Sequence, residues 1–294
     1  MSLNKPIWKL RDWIDINKLD WDMLSFNTRA IKLLEENQEK INWDYLSLND
    51  NAYNLLEKNP ENIYWNMLSF NINAIKLLEE NIEMVNWDDL SENKNAINLL
   101  EKNYEKIYWS NLSHNPNAIK LLEKNPDKID WKQLSLNENA IHLLEQNQEK
   151  IDWGNLSRNK NAIKLLEKNK DKIDWKQLSE NTNAINLLKN NPEKIDWKQL
   201  SLNENAIDIL NENHDNIDWY YLSINKNCIN IFRENPDKID WINLSHNPSI
   251  FELDYEKMRI NNQGMYEELI KEVMKPSRVF KNPDYDYLEE LFGD

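Results

Sequence analysis

The chain has 294 residues with 3 Gly, 9 Pro, 1 Cys and 13 Trp, a balance that excludes collagen-like chains, glycine-rich low-complexity chains and disulfide scaffolds. It contains no run of about 18 apolar residues that would predict a membrane-spanning helix. With 36 basic and 51 acidic residues the net charge is −15, so long-range repulsion disfavours nucleic acid and anionic membranes as partners.

Residues 1–18 lack the repeat that fills most of the chain, but they carry several apolar side chains. These are Ile7, Trp8, Leu10, Trp13 and Ile14. This is enough apolar surface to cover the open end of a stack of repeats, so we predict an N-terminal cap at 1–18. Residues 1–13 contain no apolar stretch of the secretory type, and we therefore expect an intracellular protein that is not secreted.

Residues 19–254 consist of a 22-residue unit that occurs eleven times without an insertion. Each copy is marked by a tryptophan, and copies 1 to 11 are numbered by Trp21, Trp43, Trp65, Trp87, Trp109, Trp131, Trp153, Trp175, Trp197, Trp219 and Trp241. Counted from the tryptophan, position +3 is always Leu, +4 always Ser and +6 always Asn. Positions +9, +10, +12 and +13 read Ala, Ile, Leu and Leu in most copies. Positions that are identical in every copy report shared packing, so we assign these positions to the scaffold.

The polar residues of the unit predict where its helices begin and end. Asp or Asn usually precedes the tryptophan, as at Asp130, and predicts the N-cap of a short helix. Gln133 completes a capping-box pattern. The Asn at +6 predicts a second N-cap with a helix from +7 to +15, and Pro116 follows it at the first helical position. A further Asn at +16, as at Asn125, predicts a C-terminal cap in the left-handed conformation.

The apolar residues of the longer helix lie on one face, so each unit must pack on its neighbours. A nine-residue helix is about 13 Å long and is marginal in isolation. We therefore predict an all-α solenoid of eleven 22-residue repeats, each with a short α or 3-10 turn and one α-helix. At a helix spacing of about 8 to 10 Å, the stack would form a rod or superhelix of roughly 100 Å.

The residues after the last repeat form two predicted segments. Residues 255–282 contain an apolar helical stripe and predict a C-terminal helical cap; the stripe is Met265, Leu269, Ile270, Val273 and Met274. Residues 283–294 form a tail that combines five acidic residues with Tyr285, Tyr287, Leu288, Leu291 and Phe292. Such a tail is suited to docking into a groove of another protein, and equally to packing on its own last repeat.

The unit Ile-Asp-Trp-x-x-Leu-Ser-x-Asn-x-Asn-Ala-Ile-x-Leu-Leu, present almost in full at 129–150, resembles a short repeat abundant in predicted proteins of giant DNA viruses of amoebae. Residues 267–281, with the sequence Met-Lys-Pro-Ser-Arg-Val, resemble the helical tail of many of those proteins. The resemblance covers nearly the whole chain. It implies a viral origin and a location in the host cytoplasm or the virion, and it implies no particular activity.

A specific site in a repeat protein must be built from positions that differ between copies. Positions +2 and +5 carry large apolar pairs in copies 1 to 3: Met23 and Phe26, Tyr45 and Leu48, Met67 and Phe70. Three stacked pairs predict an apolar strip that binds a protein partner. The alternatives are that residues 1–18 fold over the strip or that it closes a dimer. A second, smaller cluster consists of Tyr220, Tyr221, Ile224 and Ile242.

No catalytic, cofactor or metal site is predicted. The four histidines occupy three different repeat positions, and Cys228 replaces Ala at an apolar position. Three glycines do not make a phosphate-binding loop. Aspartates before the tryptophans stand about 9 Å apart, too far for adjacent carboxylates to share a metal ion, so capping explains them better.

We therefore expect a scaffold without enzymatic activity or cofactor that binds a viral or host protein. The chain itself would be a monomer or associate weakly. One alternative is a structural protein that assembles the particle or the viral factory by self-association. Another is an acidic mimic that occupies a basic protein surface, which the net charge of −15 favours.

Overall fold

The computed structural model describes residues 6–260 and divides them between two compact units. The larger unit, Arg11–Ile250, contains the repeats. The smaller unit combines the described parts of Met1–Leu10 and Phe251–Asp294. Its strands β1 (Trp8–Leu10) and β2 (Phe251–Leu253) pair antiparallel, and residues 255–260 are helical.

Each copy begins with a short α-helix that starts at its tryptophan, called here the tryptophan helix. In the described residues these helices are Trp21–Phe26, Trp43–Leu48, Trp65–Leu68, Trp87–Glu92, Trp109–His114, Trp131–Leu134, Trp153–Arg158, Trp175–Glu180, Trp197–Leu202, Trp219–Leu222 and Trp241–His246. The helix starts there because the residue before the tryptophan caps it. In copy 6 the Asp130 carboxylate accepts a hydrogen bond from the Gln133 N–H at 3.1 Å.

A second α-helix, the leucine helix, follows in copies 1 to 10. These helices are Ile31–Glu35, Tyr53–Lys58, Ile75–Glu80, Ile97–Lys102, Ile119–Glu123, Ile141–Gln146, Ile163–Lys168, Ile185–Lys189, Ile207–Glu212 and Ile229–Glu234. The leucines at +3 and +13 pack between the two helices of a copy, and Leu24 and Leu34 are fully buried in copy 1. This pairing of apolar faces confirms the predicted all-α solenoid.

Short 3-10 helices, called turn helices, connect each leucine helix to the next tryptophan helix. They are Ile16–Lys18, Gln38–Lys40, Pro60–Asn62, Ile82–Met84, Tyr104–Lys106, Pro126–Lys128, Gln148–Lys150, Lys170–Lys172, Pro192–Lys194, His214–Asn216 and Pro236–Lys238. Two further 3-10 helices, Lys160–Ala162 and Pro248–Ile250, lie after the tryptophan helices of copies 7 and 11.

The α-helix begins at +10, so the predicted start at +7 is wrong for the α-helix. In copies 7 and 11 a 3-10 helix does occupy +7 to +9, and Asn159 caps it in copy 7. The Asn at +6 is the C-cap of the tryptophan helix, and its side chain accepts from the N–H at +8, as Asn115 does from Asn117 at 3.0 Å. The chain then needs a turn, which the Ala118 N–H closes onto the Asn115 carbonyl at 3.1 Å. Pro116 occupies the second position of this turn, where a fixed φ is favourable.

The predicted left-handed cap at +16 is also wrong. Asn125 has φ −133°, and residues 6–260 contain no non-glycine residue with positive φ. Its side-chain amide instead donates to the Leu121 carbonyl four residues earlier, at 2.8 Å. Because the side chain satisfies this helix-end carbonyl, the backbone has no need of a left-handed turn.

Two buried polar rows join each copy to the next. The Asn49 amide donates to the carbonyls of Ser25 at 2.9 Å and Asn27 at 3.0 Å in the preceding copy. The Ser25 hydroxyl donates to the Trp21 carbonyl and accepts from the Asn42 N–H of the following copy, at 2.8 and 3.0 Å. The same bonds recur at the other interfaces, which confirms that the Ser and Asn rows bind backbone groups.

The eleven copies close into a ring, because copy 1 makes the same hydrogen bonds to copy 11 that every other copy makes to the copy before it. The Asn27 amide donates to the carbonyls of Ser245 and Asn247 at 2.9 and 3.1 Å. The Asp20 N–H donates to the Ser245 hydroxyl at 2.8 Å. Accordingly, the tryptophan helix of copy 1 packs against those of both copy 2 and copy 11.

Closure overturns the predicted extended rod or superhelix of roughly 100 Å. The side of copy 1 that the predicted N-terminal cap at 1–18 was expected to cover is occupied by copy 11. Ile16–Lys18 instead supplies the turn helix between copies 11 and 1, and the Lys18 ammonium lies 5.1 Å from the centre of the Trp241 ring. The predicted C-terminal cap at 255–282 falls mostly outside the described residues. The open side of copy 11 that it was expected to cover is occupied by copy 1.

The tryptophan helices form the inner layer of the ring. Eight of the eleven successive pairs of tryptophan helices, the pair across the closure included, pack directly on one another, and no pair of successive leucine helices among the described residues does so as closely. In a closed ring each copy is rotated from the last by the same angle, so the spacing between equivalent helices grows with their distance from the ring axis. The closely spaced tryptophan helices therefore lie at a smaller radius than the leucine helices. Eleven helices spaced about 8 to 10 Å apart would place their axes on a circle roughly 30 Å in diameter, with roughly 20 Å between opposite helix surfaces.

Candidate protein-binding surface

The positions that differ between copies face this opening. On a helix with 100° per residue, +3 and +4 lie together on the buried side of the tryptophan helix, and +1, +2 and +5 lie on the opposite side. In copy 1, Leu24 and Ser25 are fully buried, whereas Met23 and Phe26 are half-buried and Asp22 is exposed. Because the leucine helices lie outside, the +1, +2 and +5 side chains line the inner surface.

Side chains at +5 reach their counterparts in neighbouring copies. His114 Nδ1 and Glu92 Oε1 are 2.7 Å apart, and the Arg158 guanidinium lies 3.0 Å from the Glu180 carboxylate. Across the closure, the rings of Phe26 and His246 stack with centroids 4.4 Å apart. The +5 positions therefore form a continuous row around the ring.

The structure brings the predicted strip residues together on the inner surface. Met23, Tyr45, Met67, Phe26 and Leu48 are half-buried, and Phe70 is 36% exposed. Their partial burial fits a concave surface, on which neighbouring side chains shield one another. Phe26 is also covered on one face by His246 of copy 11.

Closure joins the strip to the second apolar cluster, which sequence reasoning kept apart. Copies 10 and 11 now precede copy 1, so their +2 and +5 residues continue the rows. We name the combined surface the apolar arc, and it consists of Leu202, Tyr221, Ile224, Met23, Phe26, Tyr45, Leu48, Met67 and Phe70, with His246 between Ile224 and Phe26. Tyr220 and Ile242, at +1 of copies 10 and 11, are 54% and 59% exposed beside it.

The remainder of the inner surface is polar. Positions +2 and +5 of copies 4 to 8 carry acids, amides, His114 and Arg158, with Leu136 as the apolar exception. Copy 4 marks the boundary with Asp88, Asp89 and Glu92. Burial, followed by repulsion from Asp88 and Glu92, raises the pKa of Asp89. In contrast, the hydrogen bond from His114 lowers the pKa of Glu92.

His246 fits the apolar arc as a neutral side chain. Its burial lowers its pKa, and the charge of Lys226 lowers it further. A neutral imidazole stacked on Phe26 continues the apolar surface across the closure without adding a charge. The closure is therefore part of the candidate surface.

The repeated tryptophans begin the short helix of each copy and are half-buried. A lysine of the following turn helix lies over the indole ring in several copies. The Lys40 ammonium is 4.4 Å from the Trp21 ring centre, and Lys172 is 4.6 Å from that of Trp153. This cation–π contact covers one face of the indole and joins the copy to the next one at six tryptophans of the described residues.

The capping role of the aspartates is confirmed, and the capping box is wrong. The residue at −1 accepts from the first turn in nine copies. A capping box would require the Gln133 side chain to accept a hydrogen bond from the Asp130 N–H. That N–H instead donates to the Ser113 hydroxyl of the preceding copy, at 3.0 Å. Copies 3 and 5 carry Tyr64 and Tyr108 at −1, and their helices have no side-chain cap.

The residues most suited to catalysis are separated from one another. His114 pairs with Glu92, His142 lies 3.0 Å from Glu123 on the outer layer, and His246 stacks on Phe26. Cys228 is buried at an alanine position, as predicted, and burial raises the pKa of its thiol. A thiol held protonated in this way is a poor nucleophile.

The predicted tail residues Tyr285, Tyr287, Leu288, Leu291 and Phe292 lie outside the described residues. None of the helices within residues 6–260 has the length and apolar character needed to cross a membrane. No family model, curated protein or solved structure matches this chain. The case for function therefore depends on the ring itself.

Proposed function

We propose that the chain is a non-enzymatic, protein-binding ring that holds an apolar segment of a partner in its central opening. The observation that carries this proposal is the apolar arc. Large apolar side chains occupy +2 and +5 in copies 10, 1, 2 and 3, on both sides of the closure, with Asn243 and His246 of copy 11 between them. The same positions are polar in most other copies. Packing of the ring does not require them, because copies 4 to 8 fold alike without them.

The size of the opening limits the kind of partner. An opening roughly 20 Å wide admits a single helix of about 10 to 12 Å, or an extended segment, and excludes a folded domain. A helix with one apolar face would place that face on the arc and its polar face toward copies 5 to 8. The resemblance to repeats of giant DNA viruses of amoebae suggests a viral or host protein as the source of this segment.

The concave position of the arc favours a partner over self-association. Two rings cannot bring their inner surfaces together, because each surface lies inside its own ring. A second ring could contribute a protruding segment, but it could not pair arc with arc. This geometry supports a scaffold for another protein rather than an assembly of stacked arcs.

The proposal is tested by replacing Phe26, Leu48 and Phe70 together with serine and comparing this variant with Leu136→Ser. Both variants change the same +5 row, in the apolar arc and in the polar half respectively. A photoreactive residue at Met67 in each background would report what enters the opening. We expect loss of cross-links to the partner in the triple variant and retention in Leu136→Ser.

Thermal melting distinguishes loss of binding from loss of fold. Half-buried side chains should each contribute on the order of 1 kcal/mol, so the triple variant should remain folded. Unfolding of the triple variant at room temperature would show that the arc belongs to the core. Equal cross-linking in both variants would show that the partner binds elsewhere.

A further inference from the structure

A second departure from the repeat lies away from the opening, on the turn helices. Most copies carry lysine at −3, Asp or Asn at −1, and proline or a polar residue at −5. Copies 3 to 5 instead carry exposed apolar and aromatic side chains there. We name them the turn patch: Tyr64, Ile82, Met84, Tyr104 and Tyr108, each between 38% and 54% exposed.

The patch has a cost that packing does not explain. Tyr64 and Tyr108 stand where nine other copies have a capping Asp or Asn, and the two helices that follow them lack a side-chain cap. Loss of an N-cap destabilises a helix by about 1 kcal/mol. Both tyrosines are nevertheless exposed, at 41% and 54%, so they gain little burial in return.

The patch also interrupts the row of lysines that covers the tryptophans. The Lys40, Lys150 and Lys194 ammonium groups each lie 4.4 Å from the indole ring centre of the preceding copy. At the equivalent positions facing Trp43 and Trp65 the chain carries Asn62 and Met84. The ring thus shows that this indole face accepts an ammonium group. Its own sequence supplies no lysine to Trp43, Trp65 and Trp197, and of these only Trp43 and Trp65 belong to adjacent copies.

Acidic residues remain where these lysines are missing. Glu61 and Glu83 occupy position −4, directly before Asn62 and Met84, as acids do in the lysine-bearing turns. Trp87 and Tyr108 line one cleft of about 460 Å³, together with Asp88, Glu105 and Lys106. Aromatic faces combined with a local excess of carboxylates favour a cation over an apolar or anionic group.

We propose that the turn patch binds lysine and arginine side chains of a basic segment in a partner protein. Their ammonium or guanidinium groups would take the place on Trp43 and Trp65 that the chain's own lysines take in other copies. Tyr64, Met84 and Tyr108 would contact the aliphatic stems, and Glu61, Glu83 and Glu105 would attract the charge. This site is separate from the apolar arc and does not depend on the function proposed for it.

The repeat itself supplies the test variant. Asn62→Lys, Tyr64→Asp, Met84→Lys and Tyr108→Asp return four positions to the residues common in their rows and leave the net charge unchanged. Restored caps and lysine contacts should keep the melting temperature equal or raise it. The matched control is Asn216→Lys, the same change as Asn62→Lys, at the isolated indole of Trp197, where −1 is the capping Asp218 and not a tyrosine.

Binding is measured by calorimetry with a 15-residue peptide of alternating lysine and serine, and with the same peptide carrying glutamate in place of lysine. We expect the lysine peptide to bind and the fourfold variant to lose about tenfold in affinity, since two lost cation–π contacts account for about 1.4 kcal/mol. Asn216→Lys should stay within about twofold of the parent protein.

Two results would overturn the proposal. One is unchanged affinity in the fourfold variant, which would mean that the lysine peptide is attracted by the overall charge alone. The other is equal affinity for the lysine and glutamate peptides. The serine variant of Phe26, Leu48 and Phe70 should bind the lysine peptide as the parent does, so failure of the arc and failure of the patch are distinguishable.

Discussion

Two interfaces of the ring, between copies 11 and 1 and between copies 6 and 7, have the same hydrogen bonds to backbone groups. They differ in whether the polypeptide connects the two copies directly. Asn159 donates to the carbonyls of Ser135 and Asn137 at 3.1 and 3.0 Å, as Asn27 does to those of Ser245 and Asn247. Copies 6 and 7 are also joined by the polypeptide. Copies 1 and 11 are the first and last copies of the array, so non-covalent contacts alone hold this part of the ring closed.

The closure is reinforced by side chains that depart from the repeat. At +8, where most copies have Asn, copy 1 has Arg29, and its guanidinium donates to the Pro248 carbonyl at 3.2 Å. This is the bond that Asn161 makes to the Glu138 carbonyl between copies 6 and 7. The Arg11 guanidinium adds a bond to the Ser249 carbonyl at 2.7 Å. Longer side chains therefore strengthen the interface that has no covalent link.

The largest effect should come from removing the buried amide at each interface. Asn27→Ala and Asn159→Ala each leave two carbonyls and one N–H without their partner, and each should cost about 3 kcal/mol. We expect Asn27→Ala to open the ring, because no chain connects copies 11 and 1. Asn159→Ala should instead lower the melting temperature of a ring that stays closed.

Opening can be followed by the distance between two spin labels in a Cys228→Ala background, alanine being the residue that most copies have there. Arg233→Cys and Lys32→Cys span the closure, and Glu145→Cys and Asn186→Cys span equivalent positions on the opposite side. The first distance should increase in Asn27→Ala and the second should not. An unchanged first distance would mean that the remaining contacts suffice for closure.

A smaller effect should follow acidification, and it should be confined to the closure. The folded-state pKa of His246 is lowered below 6.5 by burial and by Lys226, so protonation favours the open state. The closed ring should thus be most stable above pH 6.5 and lose stability as the pH falls below it. At the equivalent interface of copies 4 and 5, the pKa of Glu92 is lowered, so stability there declines only below pH 4.5.

This difference is measurable as a pH titration of the spin-label distance between copies 10 and 1, from pH 7.5 to 5. The distance should lengthen on the acid side in the parent protein and stay constant in His246→Leu, which keeps the stacking partner of Phe26 apolar. A lengthening of equal size in His246→Leu would assign the acid response to another group.

The sequence predicted the elements of the fold well because each was present in many copies. Leu24, Ser25 and Asn27 and their equivalents fixed the helices, the core and the polar rows at every interface. Repetition defines the interface between neighbours, but closure depends on a small tilt between them that adds up over eleven steps. No single residue specifies that tilt, so the open rod and the closed ring were equally compatible with the pattern.

A signal for closure was nevertheless present at the two ends. Residues 16–21 read Ile-Asn-Lys-Leu-Asp-Trp, the end of a repeat followed by the next tryptophan, although no copy precedes them. Copy 11 lacks this segment after Ser249. The turn helix before copy 1 has no copy in front of it, and copy 11 has no turn helix behind it. The first can serve the second only if the two ends of the array meet. Closure also makes the apolar arc continuous, because His246 lies between Ile224 and Phe26 in the row of +5 side chains.

The smallest effect should come from the lysine that each turn helix lays on a tryptophan. Lys18→Ala and Lys172→Ala each remove one cation–π contact worth about 0.5 to 1 kcal/mol. Lys172 belongs to the turn that links copies 7 and 8 covalently, whereas Lys18 holds the N-terminal turn helix on Trp241 across the closure. Local opening should therefore increase more in Lys18→Ala.

Hydrogen exchange of two equivalent amides measures this difference. The Asp20 N–H donates to the Ser245 hydroxyl at 2.8 Å, and the Asp174 N–H donates to the Ser157 hydroxyl at 3.0 Å. Lys18→Ala should speed exchange at Asp20 by about threefold to fivefold, because opening there separates two ends of the chain. Lys172→Ala should change exchange at Asp174 less, because the polypeptide keeps copies 7 and 8 together. Equal acceleration at both sites would mean that closure is as strong as a covalent link, and that the lysine contact contributes the same at every interface.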